Sequence, residues 1–330
     1  MRKTFIIAEI GNNHEGSFHQ AKRLILAAKK CGVNAVKFQT YIPELFVSLE
    51  NKKRYEKLKK FQLSHNQFKL LARYCKKLGI IFFSTPLDEL SADYLNKFQK
   101  IFKVSSADND YFSLIKKLAN YNKTLIVSTG FSDLSLINKV KKLVFNSWKK
   151  LKKNNKKLIL MHCVSSYPVK NEEANLKAIR VLKKKFKDCV IGYSDHTVGI
   201  TASIAAVSLG AQFIEKHFTI DKNYSNFRDH KLSADPQEMT ELVSKIDQIE
   251  KLMGTGEKII QKSEKIELGF VRRKAVAKKR ILKGEKFNKD NIKWVRAKNG
   301  FKNFYEKKLF SKVCKTNIPK DKVILKRYLK

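Results

Sequence analysis

Short apolar runs and amphipathic helical patterns alternate eight times in the first three-quarters of the 330-residue chain, and this alternation restricts the possible folds most strongly. Apolar runs joined by helices in this way are typical of parallel βα units. The predicted strands are residues 5–11, 35–41, 80–86, 101–107, 124–130, 158–165, 190–197 and 213–220. The predicted helices are residues 17–30, 64–78, 89–98, 111–121, 135–152, 175–186, 199–209 and 236–253.

Eight βα units within about 250 residues predict an α/β fold of the TIM (β/α)8 barrel type. A doubly wound open sheet is the alternative. No GxGxxG sequence follows any predicted strand, and polar residues stand at the carboxyl ends of nearly all eight. Both observations favour the barrel, with residues 1–256 as the catalytic domain.

The pattern changes after residue 256. Residues 257–272 are polar and charged and are predicted to be a linker. Residues 273–330 predict a small β-rich domain, too short to bury a large core, with strands at 274–277, 281–285, 292–295 and 322–325. Within the first domain, residues 42–63 predict an unusually long loop that covers the catalytic face as a lid.

Composition excludes several classes of protein. Hydrophobic residues make up 43% of the chain, but no apolar run approaches the roughly 18 residues that a membrane span needs. The first apolar run is short and contains Glu9, so no signal peptide is predicted. The five cysteines form no CxxC pair, which argues against disulfides or a zinc site and fits a reducing cytoplasm.

The net charge of +40 raises the question of nucleic-acid binding. Only 11 of the 70 basic residues are arginine, which is the usual bidentate reader of bases. The lysines lie mostly on the outer faces of predicted helices, where water solvates them. We therefore expect no specific nucleic-acid partner, and we keep an RNA-binding protein built on an inactive barrel as an alternative.

Two histidines lie near the carboxyl ends of neighbouring predicted strands. His196 stands near the end of the run 190–197, and His217 ends the apolar run that begins at Phe213. The carboxyl ends of consecutive parallel strands meet at one edge of a sheet, so the two imidazoles can converge. Converging neutral imidazoles could hold a divalent metal, whereas the alternative for each histidine is an ordinary hydrogen-bonded polar residue.

Polar and charged residues occupy the other strand ends. Lys37 and Lys103 lie on apolar strands, where a buried ammonium group needs an anion. Glu9 and Asp108 could transfer protons. The strand-end hydroxyl and amide residues are Gln39, Ser84, Thr85, Ser105, Ser106, Ser128, Thr129, Ser165, Tyr167 and Ser194. The residues alone thus predict a metal-assisted enzyme that acts on a phosphorylated anion.

Longer motifs occur along nearly the whole chain. They are AEIGNNHEG (8–16), VKFQT (36–40), STP (84–86), FKVSSAD (102–108), STG (128–130), HCVSSYP (162–168), GYSDHTVG (192–199), IEKHF (214–218) and RDH (228–230). In this order they resemble the sialic acid synthase family, which comprises N-acetylneuraminate, legionaminic acid and pseudaminic acid synthases. RRKAVAKKRILKGE (272–285) resembles part of the family's C-terminal antifreeze-like (SAF) domain.

The resemblance implies a TIM barrel followed by an SAF domain, in a domain-swapped homodimer whose small domain closes the active site of the other subunit. It implies the condensation of phosphoenolpyruvate with an open-chain N-acyl amino sugar such as N-acetylmannosamine. Phosphate would leave by C–O cleavage after water attacks, giving a nine-carbon 2-keto acid. A divalent metal, Mn²⁺ or Mg²⁺, is the implied cofactor.

The same resemblance implies roles for individual residues. His196 and His217 match the metal ligands. The positions that bind phosphoenolpyruvate are matched by Lys37, Thr85, Lys103, Ser106, Ser128 and Ser194. The positions near the amino sugar are matched by Gln39, Tyr167, Asp229 and, from the small domain, Arg296. Ser165 is also predicted to bind substrate. Glu9 and Asp108 match acids of the catalytic face.

Three features depart from the family pattern. Asp108 stands where Glu is usual, which shortens its reach by about 1 Å. Ser165 stands where Asn is usual, and Phe227 and Arg228 stand where a Gly-Pro pair is usual. The sugar therefore stays open, and a legionaminic-like, pseudaminic-like or other N-acyl sugar is possible. A 3-deoxy-keto-acid synthase acting on a sugar phosphate is the alternative within phosphoenolpyruvate chemistry.

Overall fold

Eight parallel strands make up the sheet of the first part of the chain. They are β1 (Phe5–Gly11), β2 (Ala35–Thr40), β3 (Ile81–Pro86), β4 (Ile101–Val104), β5 (Thr124–Ser128), β6 (Leu158–Cys163), β7 (Val190–Asp195) and β8 (Phe213–His217). The computed structural model describes residues 4–151 and 157–330. Hydrogen-bonded neighbours follow the order β3-β2-β1-β8-β7-β6-β5-β4, and the end strands β3 and β4 lie against each other. The strands thus form a nearly closed barrel, which confirms the predicted fold and excludes the open sheet.

A side chain spans the seam between β3 and β4. The backbone N–H of Ser84 donates to Gln99 Oε1 at 2.9 Å, and Gln99 Nε2 donates to the Ser84 carbonyl at 3.0 Å. Gln99 is buried, so little water competes for either bond. A side-chain amide here takes the place of the backbone bonds that a neighbouring strand would make.

Helices fill the intervals between the strands. They are α1 (Phe18–Lys30), α2 (Pro43–Phe46), α3 (Lys52–Phe61), α4 (His65–Leu78), α5 (Glu89–Asn96), α6 (Phe112–Asn120), α7 (Leu134–Lys150), α8 (Ala178–Lys185), α9 (Thr201–Ser208), α10 (Arg228–Leu232) and α11 (Pro236–Met253). Ser64 with Gln67 and Asp235 with Glu238 form capping boxes at the starts of α4 and α11. In the described parts of the chain, no helix is long and apolar enough to cross a bilayer.

Most predicted strands extend a few residues too far. For example, β4 ends at Val104 and β7 ends at Asp195, because the polar residues that follow stay near the barrel rim but leave the hydrogen-bonded ladder. Helix α7 ends at Lys150, and residue 152, where the predicted helix ends, lies outside the described residues. These errors are of the size expected for element boundaries.

Residues 42–63 do not form the long loop that the sequence predicted. They form α2 and α3, with Pro43 at the first turn of α2. Asn51 caps α3 by accepting from the N–H of Arg54 at 3.3 Å. The prediction was wrong because α3 is highly charged and only Phe61 of its 10 residues is buried, so its helical pattern is weak.

The inside of the barrel changes from apolar to polar toward the carboxyl ends of the strands. A buried apolar layer comprises Ile7, Ala35, Phe83, Ile126, Ile159 and Met161. Side chains two positions apart on a strand face the same way. Two positions beyond members of this layer stand Glu9, Lys37, Thr85, Ser128 and Cys163, all buried. Strand geometry thus carries charged and hydroxyl groups to the face where TIM-barrel sites lie.

The chain divides into two compact units, of which the first ends at Gly254 and the second spans Thr255–Lys330. The elements of the second unit are α12 (Lys262–Val271), β9 (Arg273–Ala277), β10 (Ile292–Arg296) and α13 (Glu306–Phe310). Strands β9 and β10 are antiparallel. The core of the unit includes Ala275, Ile281, Phe287, Leu309 and Ile324.

Two details of the second unit differ from the predictions. Residues 281–285 and 322–325 are not regular strands, and they take part only in isolated bridges such as Ile281 with Ile318 and Val276 with Val323. The segment 257–272, which was predicted as a linker without any helix being assigned to it, contains helix α12. In this small unit, short apolar runs therefore predicted the positions of core residues more reliably than they predicted strands.

Candidate active site

A cavity of about 690 Å³ opens at the carboxyl ends of the barrel strands, and its size suits a small organic ligand. The predicted site residues that line it are Glu9, Lys37, Gln39, Thr85, Lys103, Ser106, Ser128, Ser165, Tyr167, Ser194, His196, His217 and Asp229. Asp108 and Arg296 are not among its lining residues. Arg296 is exposed at the end of β10, in the second unit.

Lys37, Lys103, Glu9 and Glu215 meet in one part of the cavity, which we call the lysine side. Lys37 Nζ lies 2.9 Å from Glu9 Oε2 and 3.7 Å from Glu215 Oε1. Lys103 Nζ lies 2.5 Å from Glu215 Oε1. All four residues are buried, and the parallel register of β1 and β2 places Glu9 beside Lys37. The barrel thus holds two lysines and two carboxylates in a connected group of ion pairs.

Neighbouring polar groups fix the two carboxylates. Ser194 Oγ donates to Glu215 Oε1 at 3.0 Å, and Gln39 Nε2 donates to Glu9 Oε1 at 3.1 Å. The protein therefore supplies counter-charges for its own buried lysines. The anions that the sequence argument required for these lysines are present as Glu9 and Glu215, so the burial of both lysines is compensated without a ligand.

The pKa values of the two carboxylates are shifted in opposite directions. Burial raises the pKa of Glu9, and the attraction of Lys37 only partly opposes this effect. Burial acts on Glu215 in the same sense, but Lys103 and Lys37 outweigh it and hold its pKa at about 2. Glu215 is therefore a fixed negative charge at neutral pH. Glu9 is the carboxyl group of the pair that is better suited to proton exchange.

Glu215 was not predicted as a site residue. It lies two positions before His217 on β8, so the two side chains face the same side of the strand. Its inward position could have been found from that spacing, together with the need of Lys37 and Lys103 for a counter-charge.

His196, His217, Tyr167 and Asp229 form a second part of the cavity, the histidine side. The ring centroids of His196 and His217 are 5.4 Å apart, and the Tyr167 ring lies 4.2 Å from His196 and 5.9 Å from His217. His196 Nδ1 lies 2.8 Å from the carbonyl oxygen of Val164. This contact occupies Nδ1 and orients the ring, so Nε2 is the nitrogen available to a ligand.

His217 has a buried nitrogen without a hydrogen-bond partner among the described residues, namely Nδ1. Asp229 Oδ2 lies 4.0 Å from it, which is too far for a hydrogen bond. Burial lowers the pKa of His217 well below its usual value, so the ring is neutral. A neutral imidazole with an unpaired nitrogen is suited to binding a divalent metal.

Two histidines do not make a complete metal site. Across residues 4–151 and 157–330, no group of three or more His, Cys, Asp or Glu side chains is arranged to hold a metal ion. A metal held by His196 and His217 would need its other ligands from water or a substrate. Open coordination positions of this kind are typical of catalytic metal sites and not of structural ones.

Two serines crowd Gly130 at the end of β5. Ser106 Oγ accepts a hydrogen bond from the Gly130 N–H at 3.2 Å. A Cβ atom at position 130 would lie 2.3 Å from Ser165 Oγ and 2.7 Å from Ser106 Oγ, so a larger residue would displace both hydroxyls. Ser165 Oγ is buried without a hydrogen-bond partner in the described chain, so it can still bind a ligand.

Asp108 lies beside the cavity in the short turn after β4, and its carboxylate accepts a hydrogen bond from the Ser105 hydroxyl. Burial raises the pKa of Asp108, although the bond from Ser105 opposes this. Ser106 and Ala107 of the same turn line the cavity, whereas Asp108 does not. The structure therefore places Asp108 next to the site but not in its wall.

The rim of the cavity contains residues that the sequence did not single out. Phe46, Arg54, Lys57, Leu58 and Phe61 all come from α2 and α3. Their segment is strongly basic, and only its position after β2 indicated a place over the catalytic face.

Comparison with known proteins decides the family. The family model described as NeuB matches residues 24–258, which is more than half of the chain. The chain belongs to the NeuB family. This confirms, at the level of the family, the resemblance to sialic acid synthases. The matched range ends near the boundary between the two units, so the model match does not extend over the second unit.

Individual NeuB-family relatives match over most of the chain. N,N'-diacetyllegionaminic acid synthase of Campylobacter jejuni is 40% identical over 98% of this chain and 99% of the relative. An uncharacterized protein of Methanocaldococcus jannaschii is 43% identical over 97% of this chain and 93% of its own length. The crystal structure of an N-acetylneuraminic acid synthetase from Leptospira borgpetersenii, in complex with citrate, has a TM-score of 0.75 and 37% identity over 80% of this chain and 90% of that one.

Proposed function

We propose that this NeuB-family protein condenses phosphoenolpyruvate with an open-chain N-acyl amino sugar, giving a nine-carbon 2-keto acid of the sialic acid type and phosphate. One observation carries the proposal: paired lysines and carboxylates, several hydroxyl groups and two converging histidines share a single cavity. The names of the relatives support the product class, since one is a diacetyllegionaminic acid synthase.

The proposed reaction forms one carbon–carbon bond and breaks one carbon–oxygen bond. C3 of phosphoenolpyruvate attacks the aldehyde carbon of the sugar, and water adds to C2. The C2–O bond to phosphate then breaks as the new C2 hydroxyl becomes a keto group. Of the two protons that the attacking water loses, one ends on the former aldehyde oxygen and the other leaves with the phosphate. Glu9 is our candidate for one of these transfers, since its raised pKa brings it closer to proton exchange at neutral pH.

We assign the lysine side to phosphoenolpyruvate. Its anionic groups would pair with Lys37 and Lys103, which are point charges suited to phosphate and carboxylate. Hydroxyl donors would come from Thr85, Ser106, Ser128 and Ser194. Because both lysines already contact carboxylates, binding must loosen these pairs. Protonation of Glu9 would remove one of the opposing negative charges.

We assign the histidine side to the amino sugar and to a divalent metal. Gln39, Ser165, Tyr167 and Asp229 would contact the sugar. His196 and His217 would hold Mn²⁺ or Mg²⁺, which when bound supplies polarisation of the aldehyde oxygen. The unpaired nitrogen of His217 supports this assignment. Glu9 pairs in register with both Lys37 and His217, so the two sides adjoin as a bond-forming reaction requires.

We propose that the second unit is an SAF domain and that the enzyme is a domain-swapped homodimer. Arg296 of one subunit would then reach the N-acyl group of the sugar in the other. The small antiparallel sheet and the exposed position of Arg296 at the end of β10 are compatible with this role. A cytoplasmic location fits the five free cysteines.

Phosphate release tests the reaction. The protein is incubated with phosphoenolpyruvate, Mn²⁺ and either N-acetylmannosamine or arabinose 5-phosphate, and products are identified by mass spectrometry. We expect phosphate and a nine-carbon keto acid with the N-acyl sugar. Release with arabinose 5-phosphate alone would favour the sugar-phosphate synthase. No release with any sugar, together with RNA binding that weakens steeply with salt, would favour the RNA-binding alternative.

A further inference from the structure

A buried ion pair lies behind the histidine side of the cavity, between the barrel strands and helix α9. Lys216 Nζ lies 3.3 Å from Asp195 Oδ2, and neither side chain is exposed to solvent. The two residues stand opposite each other in the register of β7 and β8. Because side chains alternate along a strand, they point away from the cavity that the preceding residues, Ser194 and Glu215, line. The pair can therefore act on the cavity only through other residues.

The ion pair is part of a larger group of buried hydrogen bonds, which we call the clamp. It consists of Asp195, Thr197, Lys216 and Ser203 of α9, all buried. Asp195 Oδ1 accepts from the Thr197 N–H and the Thr197 hydroxyl, each at 2.8 Å, and Asp195 Oδ2 accepts from the Ser203 hydroxyl at 2.6 Å. Lys216 Nζ donates to the Thr197 carbonyl oxygen. The clamp therefore holds the residues on both sides of His196.

The two histidines differ in how the sheet supports them. His217 is the last residue of β8 and belongs to the strand. His196 lies beyond its strand, because β7 ends at Asp195 and the backbone ladder between β7 and β8 ends at Asp195 and Lys216. Lys216 extends from the strand of one histidine to the carbonyl group of Thr197, next to the other histidine. The clamp thus ties the segment that carries His196 to β8.

His196 is also held from the segment after β6. The Val169 N–H donates to the His196 carbonyl oxygen at 3.0 Å, and the Val164 carbonyl oxygen lies 2.8 Å from His196 Nδ1. These contacts orient the ring relative to β6. The clamp adds the connection to β8, on which His217 stands, so it determines the relative position of the two histidines.

Stability alone does not account for a charged pair at this place. Taking two charges out of water is costly, and apolar side chains of similar volume often stabilise a fold as well or better. The outward-facing positions two residues earlier on the same strands, Tyr193 and Ile214, belong to the hydrophobic core. Asp195 and Lys216 differ from them in standing next to the two histidines in the chain. Their placement therefore favours a role in the site.

We propose that the clamp fixes the spacing of the His196 and His217 imidazoles so that both can bind one divalent metal ion. The inference rests on the proposed function, in which these histidines hold the metal. Asp195 and Lys216 are positioning residues, since they act through the histidines. A metal site needs its ligands within about 0.5 Å of the productive geometry. Loss of a contact that orients a ligand typically lowers metal affinity by roughly 10- to 100-fold.

The Mn²⁺ affinity of clamp variants tests the proposal. Asp195→Asn and the double variant Asp195→Asn/Lys216→Met are compared with wild type by isothermal titration calorimetry, and urea denaturation checks that each is folded. The double variant is included because Asp195→Asn alone leaves Lys216 buried without its counter-charge. We expect the dissociation constant for Mn²⁺ to rise about 10-fold or more in both variants. An unchanged constant in the folded double variant would overturn the proposal.

Asp88→Asn is the matched control. Asp88 is likewise a buried carboxylate that accepts from a backbone N–H and a hydroxyl group, here those of Ser91, both at 2.7 Å. It does not line the cavity, and its neighbours in the chain are not histidines. We expect its Mn²⁺ affinity to equal that of wild type. A loss as large as in Asp195→Asn would indicate a general loosening of the barrel and would overturn a specific role for the clamp.

A structural measurement separates this inference from the proposed function. If wild type binds Mn²⁺ but releases no phosphate with any sugar, the reaction fails and the affinity comparison still decides the clamp. If wild type binds no Mn²⁺, the metal site fails, and crystal structures of wild type and the double variant decide instead. The centroids of the His196 and His217 rings are 5.4 Å apart, and a change above about 0.5 Å would support the clamp. An unchanged separation would overturn it.

Discussion

The lysine side and the histidine side of the cavity accommodate buried polar groups in different ways. On the lysine side, Lys37 and Lys103 find carboxylates within the protein. On the histidine side, His217 Nδ1 has no hydrogen-bond partner among the described residues, and the nearby oxygen of Asp229 is 4.0 Å away. The charges of the lysine side are therefore neutralised without a ligand, whereas the unpaired nitrogen of the histidine side is left for a ligand to bind.

Because of this difference, residues of the lysine side and residues of the histidine side should contribute differently to folding stability and to function. Removing one member of a buried ion pair leaves its partner charged and unpaired, so the lysine side should contribute to folding stability as well as to function. An unpaired imidazole nitrogen adds little to stability and gains its partner on binding. Substitutions on the histidine side should therefore lower activity without unfolding the barrel.

The strongest test of this contrast is His217→Ala. We expect turnover to fall about 1,000-fold, because polarisation of a carbonyl by a metal is worth several kcal/mol. Phosphate release is measured with and without chelator, and Mn²⁺ binding is measured by calorimetry. His65→Ala is the control, because His65 stacks on Tyr94 and does not line the cavity. Wild-type turnover in chelated buffer would rule out the metal.

Glu215→Gln tests the other side. We expect it to lower the free energy of unfolding by about 3 kcal/mol, because Lys103 would be left buried without its counter-charge. Urea denaturation measures the change. Glu9→Gln should cost less, since the raised pKa of Glu9 shows that its charged form is already disfavoured in the fold. Equal losses in the two variants would contradict the distinction between the carboxylates.

The same two carboxylates predict opposite dependences on pH. The pKa of Glu215 is about 2 in the folded chain and ordinarily 4.5, so its stabilisation is complete above pH 4.5 and is lost as the pH falls toward 2. The raised pKa of Glu9 has the opposite sign, and stability decreases as the pH rises above 4.5. Denaturation across this range should show that Glu215→Gln flattens the acid limb. An unchanged acid limb would contradict the assignment.

Arg296→Ala should have a smaller effect, confined to the histidine side. We expect KM for the sugar to rise about 10-fold, as for loss of one charged contact at an interface, while KM for phosphoenolpyruvate changes little. Steady-state kinetics with each substrate varied in turn would measure this. Equal increases in both values would argue against a contact between Arg296 and the sugar.

The smallest effect is expected at Asp108, which lies beside the cavity and is bound by Ser105. Asp108→Asn should lower kcat about 3-fold, since the carboxylate does not form part of the cavity wall. Asp108→Glu keeps the carboxylate and serves as the comparison. A loss above about 100-fold in the Asn variant, reversed in the Glu variant, would identify Asp108 as a proton-transfer group.

The sequence predicted the barrel well because local patterns determine most of it. Residues 5–11 were predicted as a strand and form β1 with the same bounds, since a buried parallel strand is a continuous apolar run. Helix α3 was missed because its charged sequence shows little of the apolar stripe that marks a helix.

The site was predictable where it follows from strand ends and was missed where it depends on tertiary contacts. Lys37 and His217 could be placed from strand position alone. The contact of Lys103 with Glu215 joins β4 to β8, strands that are far apart in the chain. The spacing to His217 indicates that Glu215 points inward, but it does not identify Lys103 as its partner. Spacing also does not reveal the contact of Lys57 with Phe227, which meet only after α3 folds over the barrel.

The seam between β3 and β4, which Gln99 spans, lies where a bound substrate could link the two strands. Thr85 lies on β3 and Lys103 on β4, the two strands that the backbone ladder leaves unjoined. We have assigned both residues to phosphoenolpyruvate, so one bound molecule would contact both strands and link β3 to β4. Binding of phosphoenolpyruvate would then both prepare the site for catalysis and make the barrel more rigid. The substrate-free enzyme would be the more mobile form at the contact between β3 and β4.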